Sequence, residues 1–161
     1  MIHQKLSDFI SNSKEKLHFK GALGSFLTFS ISTIFKSSER PFLLLFDTKE
    51  EAAYYLNDFE MLLDEKEVLF YPGSYRRPYQ IEETDNANVL LRAEVLGRIN
   101  SQKKPALIVT YPEALFEKVV SRKQLEKSTF KLAVGETLNL DFFNEVLFEY
   151  QFSRVDFVTD P

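Results

Sequence analysis

Apolar residues recur along the chain at two spacings, and the alternation between them predicts the fold class. Residues 3–16 carry Leu6, Phe9 and Ile10 on one face of a helix, and Leu17–Lys20 reads as a short strand leading into Gly21. A helix is predicted over 25–37, with Leu27, Ile31, Ile34 and Phe35 as its apolar stripe. Phe42–Phe46 is an unbroken apolar run, the pattern of a strand buried on both faces. Thr48-Lys-Glu-Glu51 is a capping box that opens a helix with Ala52, Leu56, Phe59 and Leu63 inward. Val68–Tyr71 is the next strand, and 72–83 is a loop rich in Tyr, Pro and Arg. A helix over 86–99 turns Val89, Ala93 and Leu96 inward, Ala106–Val109 is a fourth buried strand, and Thr110-Tyr-Pro-Glu113 reads as a second capping box with proline early in the helix. Strands and helices alternating in this way predict an α/β fold, a mainly parallel sheet flanked by helices.

The texture changes after Val120. A polar connector over 121–128 leads to a strand over 129–134, a turn at Gly135, a helix over 139–150 and a last strand near 152–158. The reading is therefore a domain over 1–120 followed by the start of a small α+β lobe over 121–161. The final residues, Val155 to Pro161, read as a strand entering a turn, the pattern of a piece cut from a longer protein.

Composition narrows the function classes. Apolar residues at 44% and charged residues at 27% are the balance of a chain that buries a core in water. The formal charge of −4 argues against a general nucleic-acid binder, which needs a concentrated basic surface. With no cysteine, disulfides and thiolate chemistry are excluded, in keeping with a reducing cytoplasm. No apolar run approaches the roughly 20 residues of a membrane span, so no membrane association is expected.

One motif resembles chemistry. A phosphate loop, G-x-x-x-x-G-K-[ST] between a strand and a helix, surrounds phosphates with backbone N–H groups and a lysine and holds magnesium with its hydroxyl. Gly21-Ala-Leu-Gly24-Ser-Phe26-Leu27-Thr28 keeps the first glycine and the threonine, but Phe26 replaces the second glycine and Leu27 the lysine. A ring stands where backbone must approach closely, and an apolar side chain cannot offset phosphate charge. The match is equally compatible with plain helix entry. Asp47, at the end of an apolar strand, imitates a magnesium-binding aspartate, yet it precedes the Thr48 capping box and helix entry is the simpler role. His3 and His18 have no ligand cluster around them, and Glu82-Glu83-Thr84-Asp85 reads as acidic residues beside the positive end of the next helix. No catalytic residue, metal ligand or cofactor is predicted.

These blocks together resemble the N-terminal region of bacterial transcription-repair coupling factors (Mfd), itself similar to the damage-recognition protein UvrB. The UvrB-type loop G-x-T-G-S-G-K-T-F is followed by Gly21 to Phe29 with the Gly-Lys pair and the first Thr replaced. Tyr75-Arg-Arg-Pro-Tyr79 through Glu83-Thr-Asp-Asn-Ala87 to Leu91-Arg92 resembles the coupling-factor version of the next block, too short for the DNA-gripping hairpin of UvrB. Phe152-Ser-Arg154-Val-Asp156 resembles the Y-x-R-N-D segment of the UvrB lobe that docks onto UvrA.

The resemblance implies a non-enzymatic module that recruits UvrA in nucleotide excision repair, its surface masked in the intact protein by other domains of the same chain. It also implies that the family's translocase and RNA-polymerase-binding domains lie beyond residue 161, so that DNA and RNA polymerase are engaged only from outside this segment. Arg154 matches the family's arginine and is the ionic anchor expected for UvrA, the alternative being a surface salt bridge with Asp156; Phe152 and Phe157 supply neighbouring contacts. Thr137, Asn144 and Glu145 depart from the family's basic residues. In the 139–150 helix, Leu140, Phe143, Leu147 and Tyr150 form one stripe, leaving Phe148 outward and Phe142 to the side, either as contacts for a partner or covered by further strands of the lobe. Two other functions stand beside recruitment: an ATPase whose lysine comes from Lys20 or Lys36, and a module that restrains the rest of its own protein.

Overall fold

The computed structural model describes residues 8–9, 16–64, 66–75, 85–101, 104–127, 129–130, 132–150, 152 and 154–155. The chain divides into two compact units, Met1–Val120 and Ser121–Pro161.

In the first unit the elements run α1 (Phe26–Lys36), β1 (Phe42–Leu45), α2 (Lys49–Leu62), β2 (Val68–Tyr71), α3 (Asn86–Ser101), β3 (Leu107–Thr110) and α4 (Pro112–Phe116). The three strands form a parallel sheet in the order β1-β3-β2. The α/β class expected from the alternation is thus present, as a small parallel sheet flanked by helices. The central strand β3 is buried along its whole length, as Leu-Ile-Val-Thr with partners on both edges must be.

In-register residues of parallel strands share a face. Phe42, Leu44, Leu107, Val109, Val68 and Phe70 line one side, and Phe35 of α1 meets Phe42 there edge-on at 5.5 Å. Leu43, Leu45, Ile108, Thr110, Leu69 and Tyr71 line the other. α3 packs against β2, and Leu43 and Leu45 of the edge strand β1 are left 59% and 55% exposed. The expectation that β1 is buried on both faces is therefore wrong. An unbroken apolar run does not distinguish a central strand from an edge strand covered on one side.

The helix stripes follow the sequence with two exceptions. In α2, Ala52, Phe59 and Leu63 are buried and Leu56 packs against the core, as predicted. Thr48 accepts the Glu51 N–H at 3.1 Å, while the Glu51 carboxylate reaches back to the Asp47 N–H at 3.1 Å, completing the predicted cap. In α3, Val89 and Ala93 are exposed, and the inward line is Arg92 and Val95 with Leu96 beside it. Rules of burial keep arginine out of a predicted core, and here the arginine is inside. The second predicted capping box is not made. Thr110 ends β3 with its hydroxyl donating to the Tyr71 carbonyl at 2.7 Å, and Tyr111 caps α4 without a side-chain bond; Pro112 does stand at the helix start. Residues 16–20 pair with no strand, and Leu17 and Phe19 are exposed, so the strand predicted before Gly21 is absent. Most of the helix predicted over 3–16 lies outside the described residues.

The second unit holds α5 (Arg122–Lys127) and α6 (Leu140–Glu149). The predicted polar connector is helical, with Arg122 and Glu126 paired one turn apart at 2.9 Å. Described residues within 129–134 form no strand; Thr129 instead donates to the Leu125 carbonyl at 2.6 Å, extending the α5 end. Gly135 turns the chain with φ +95°, a conformation glycine alone adopts freely. Asn139 caps α6 by accepting the N–H groups of Asp141 and Phe142. Of the strand expected near 152–158, the described residues 152, 154 and 155 are not in a strand, and the others lie outside the description.

Between α1 and α2 the packing leaves one polar atom unmet: the Ser32 Oγ is buried without a hydrogen-bond partner. Ser32→Ala is expected to raise unfolding stability by about 1 kcal/mol, because an unpaired buried hydroxyl carries its full desolvation cost and alanine favours the helix. Urea denaturation measures it, and a loss of stability would show that Ser32 is satisfied in solution.

Candidate functional site

The first candidate is the glycine turn before α1. Gly21 and Gly24 both adopt left-handed backbone, φ +73° and +56°, and no atom lies within 4 Å of where a Cβ would stand at either. Glycine is required here by conformation and not by close approach. Phe26 opens α1 at 40% exposure, and Leu27 packs against the core. Thr28 is fully buried and donates to the Asp58 Oδ2 of α2 at 3.5 Å. The residues singled out at 21–28 thus lie together in the chain, but their side chains diverge: Phe26 to the surface, Leu27 to the core, Thr28 toward α2. Asp47 is exposed, and its N–H is taken by the α2 cap. Lys20, Lys36 and His18 are exposed; His3 lies outside the described residues.

The second candidate belongs to the other unit. Phe142, Phe148 and Phe152 are 53%, 64% and 63% exposed, and Arg154 is exposed after them. The Phe152 N–H bonds the Leu147 carbonyl at 2.9 Å, which holds Phe152 at the end of α6. Phe130 packs on Phe142 and Phe143 at 6.4 and 6.1 Å between ring centroids. The partly buried line of α6 is Phe143, Val146 and Leu147; Leu140 and Tyr150, expected inward, are 70% and 43% exposed. Phe157 and Asp156 lie outside the described residues.

Sequence reasoning missed a third cluster, at the carboxyl ends of β2 and β3, where ligands of open α/β sheets commonly sit. Arg92 of α3 is 5% exposed. Its Nη1 donates to the Pro72 and Ala114 carbonyls at 2.7 and 3.0 Å, and its guanidinium carbon stands 4.2 Å above the Tyr71 ring. The Glu117 carboxylate lies 3.4 Å from Nη1 and accepts the Ser74 N–H on both oxygens at 2.8 and 2.9 Å. The Tyr111 hydroxyl accepts the Gly73 N–H at 2.8 Å, and Asn88 donates to the Gly73 carbonyl. Asp85 caps α3 through Oδ1, and its own N–H bonds the Ser74 carbonyl at 2.8 Å. That bears out the helix-cap reading for Asp85; Glu82, Glu83 and Thr84 lie outside the description. Arg92 entered the sequence reading only as the end of the block that resembles coupling factors and Tyr111 only within the predicted cap, neither with a role at a site, and Glu117 carried no local signal. A groove of about 600 Å³ lies at the opposite, amino-terminal strand ends, lined by Glu39, Pro41, Arg98, Ile99 and Lys104, with none of these clustered groups in it. Among the described residues no group of His, Cys, Asp or Glu is placed to hold a metal ion, and no helix is long and apolar enough to cross a membrane.

Burial pushes the Tyr71 phenol above its ordinary value of 10.0, against the opposing pull of Arg92; burial does the same at Tyr111. Below pH 10 both folded and unfolded phenols are neutral and contribute nothing to pH dependence. Above it the unfolded phenol ionises first, so the unfolded state binds fewer protons and stability falls. Tyr71→Phe is expected to flatten the loss of stability as the pH rises above 10, measured by urea denaturation at each pH; equal slopes in both proteins would refute the assignment.

Comparison with known proteins finds a sequence likeness to a transcription-repair-coupling factor. The chain is 27% identical over 127 residues to a transcription-repair-coupling factor of Rickettsia bellii (strain RML369-C). The match covers 78% of this chain and 11% of that protein. No family model matches the chain, and no solved structure matches it. The likeness supports a family relationship between this chain and a segment of transcription-repair coupling factors.

Proposed function

We propose that the chain is the UvrB-like N-terminal module of a transcription-repair coupling factor, that it is not itself an enzyme, and that its second unit recruits UvrA. The observation that carries the reading is the run of exposed aromatic side chains, Phe142, Phe148 and Phe152, leading to the exposed Arg154. Water-exposed phenylalanines beside an arginine are the composition of a protein contact, in which aromatic anchors are desolvated and the guanidinium pairs with a carboxylate. The match to a named coupling factor supports the family part of the proposal. The segment with Phe152 and Arg154 supplies the partner, through its resemblance to the UvrA-docking lobe; Phe157 belongs to the same proposed contact.

The non-catalytic part rests on the glycine turn, read as a phosphate loop that has lost its function. Leu27 in the lysine position packs into the core, and the Thr28 hydroxyl, in the magnesium position, is engaged by Asp58. Gly21 and Gly24 turn the chain in left-handed backbone, and Phe26, where a phosphate loop has its second glycine, carries a ring at the surface of the helix start. A triphosphate would meet neither a cation nor a free hydroxyl at these positions.

Two measurements test the proposal. UvrA binding is expected for the native chain, and Arg154→Glu is expected to weaken it by about tenfold or more, the equivalent of ~1.4 kcal/mol; absence of binding by the native chain would end the recruitment claim and leave restraint of its own protein as the reading. Adding ATP and magnesium is expected to leave the melting temperature unchanged, whereas a rise of several degrees would mean nucleotide binding, since a ligand stabilises the state it binds.

A further inference from the structure

The geometry points to a carboxylate receptor in the first unit, formed by the Arg92 guanidinium and the Ser74 amide, whose resident ligand is the chain's own Glu117. Filling it latches the chain that follows α4 to the loop after β2. The latch stands or falls independently of UvrA recruitment.

The two halves of the receptor are held by groups other than Glu117. Arg92 is fixed by two carbonyls on Nη1 and by the face of Tyr71. Ser74 is fixed through its carbonyl by the Asp85 N–H, and its neighbour Gly73 is bonded at both backbone groups, by Tyr111 and Asn88. The cradle is therefore preorganised to persist when the carboxylate leaves. It also has capacity to spare: the Arg92 Nη2 is buried without a partner, and the contact between Nη1 and Glu117, at 3.4 Å, is longer than a well-formed charge-assisted bond. A buried guanidinium and an inward N–H together call for an anion, because leaving either unmet inside the protein costs more than the bond returns in water.

Glu117 fills this role from the residue that ends α4, in extended backbone with φ −68° and ψ 134°. Its side chain is the tie between that exit and the loop: Ser74 donates to both its oxygens. Residues 118–120 that follow are exposed. Gly73 completes the fit. A Cβ there would stand 2.8 Å from Glu117 Oε1, and Gly73 is not in left-handed backbone, so the glycine is needed for room and not for its φ. Gly73→Ala thus offers a way to displace the carboxylate while Glu117 itself remains, with a second, milder approach of 3.3 Å to the Tyr111 hydroxyl.

The experiment follows the Ser74 amide by NMR and tryptic cleavage after Lys118, in sodium acetate and in sodium chloride of equal ionic strength. In the native protein the receptor is full, so the Ser74 resonance should not respond to acetate and Lys118 should be cut slowly. Glu117→Ala should show a saturable acetate-dependent shift at Ser74 that chloride does not produce, with cleavage after Lys118 several-fold faster. Acetate should restore the Ser74 environment and leave the cleavage fast, since a free anion fills the cradle without tying down the chain. Gly73→Ala should reproduce the faster cleavage without the acetate response, because its methyl group takes the room of a carboxylate oxygen whether that oxygen belongs to Glu117 or to acetate, and adding Arg92→Met to Glu117→Ala should abolish the acetate response. If Glu117→Ala folds only when acetate is present, the receptor is likewise established; if it folds in neither salt, Gly73→Ala decides. A folded Glu117→Ala protein with no acetate-specific shift, a native protein that responds as strongly, or unchanged cleavage after Lys118 in either variant would overturn the latch.

Discussion

Putting a guanidinium inside the carboxyl end of a parallel sheet is costly unless its charge and its donors are met, and the first unit is arranged around meeting them. Arg92 takes carbonyls from the ends of two different elements, Pro72 after β2 and Ala114 within α4, so it fixes their separation. Its charge is balanced by Glu117, and its flat face is covered by Tyr71. Each of these partners is in turn placed by the pairing of β2 with β3, which brings Tyr71 level with Thr110 and starts α4 directly afterwards. The polar cluster and the sheet therefore specify each other. The apolar core, centred on Phe59, Leu107 and Val109, supplies the bulk of the burial, while the arginine sets how the loops above it leave.

Much of the first unit was legible because its signals are local. The Thr48–Glu51 cap and the Ala52–Phe59–Leu63 stripe each lie within one helix, and β2 and β3 are short β-branched or apolar runs. What failed depended on partners far along the chain. Leu43 and Leu45 look like core residues until the strand order puts β1 at an edge with one side open. Leu17–Lys20 has the composition of a strand, but a strand needs a neighbour, and none pairs with it. Thr110 followed by Glu113 has the spacing of a cap, yet the Thr110 hydroxyl finds the Tyr71 carbonyl across the sheet instead. A competing tertiary partner outweighed the local preference at Thr110, and the lack of a partner or a covering layer decided the other two cases.

The candidate sites divide in the same way. The glycine turn stood out because its residues are contiguous, and the structure adds where each side chain goes: Thr28 into the helix interface, Leu27 to the core. The aromatic face of α6 was readable in part, for Phe148 and Phe142 are outward, although the inward line is narrower than the periodicity implied. The Arg92 cluster was not readable as a cluster, although Asp85 and Arg92 each stood in segments the sequence singled out. Its members lie at positions 71–74, 85–92 and 110–117, and the one clue, an arginine on an apolar helix face, ordinarily means a surface charge whose stem lies along the core.

None of the described residues of 121–161 is buried. Such a segment gains little from folding against itself, so any surface that covered its aromatic residues would add burial that the segment lacks alone. Association through α6 would accordingly carry the calorimetric mark of late desolvation: a heat capacity that drops on binding, and an enthalpy that grows more favourable as the temperature rises. Affinity for a partner and the firmness of this small lobe are then the same quantity seen from two sides, and a substitution that removes an aromatic ring from α6 should be felt in the complex far more than in the free chain.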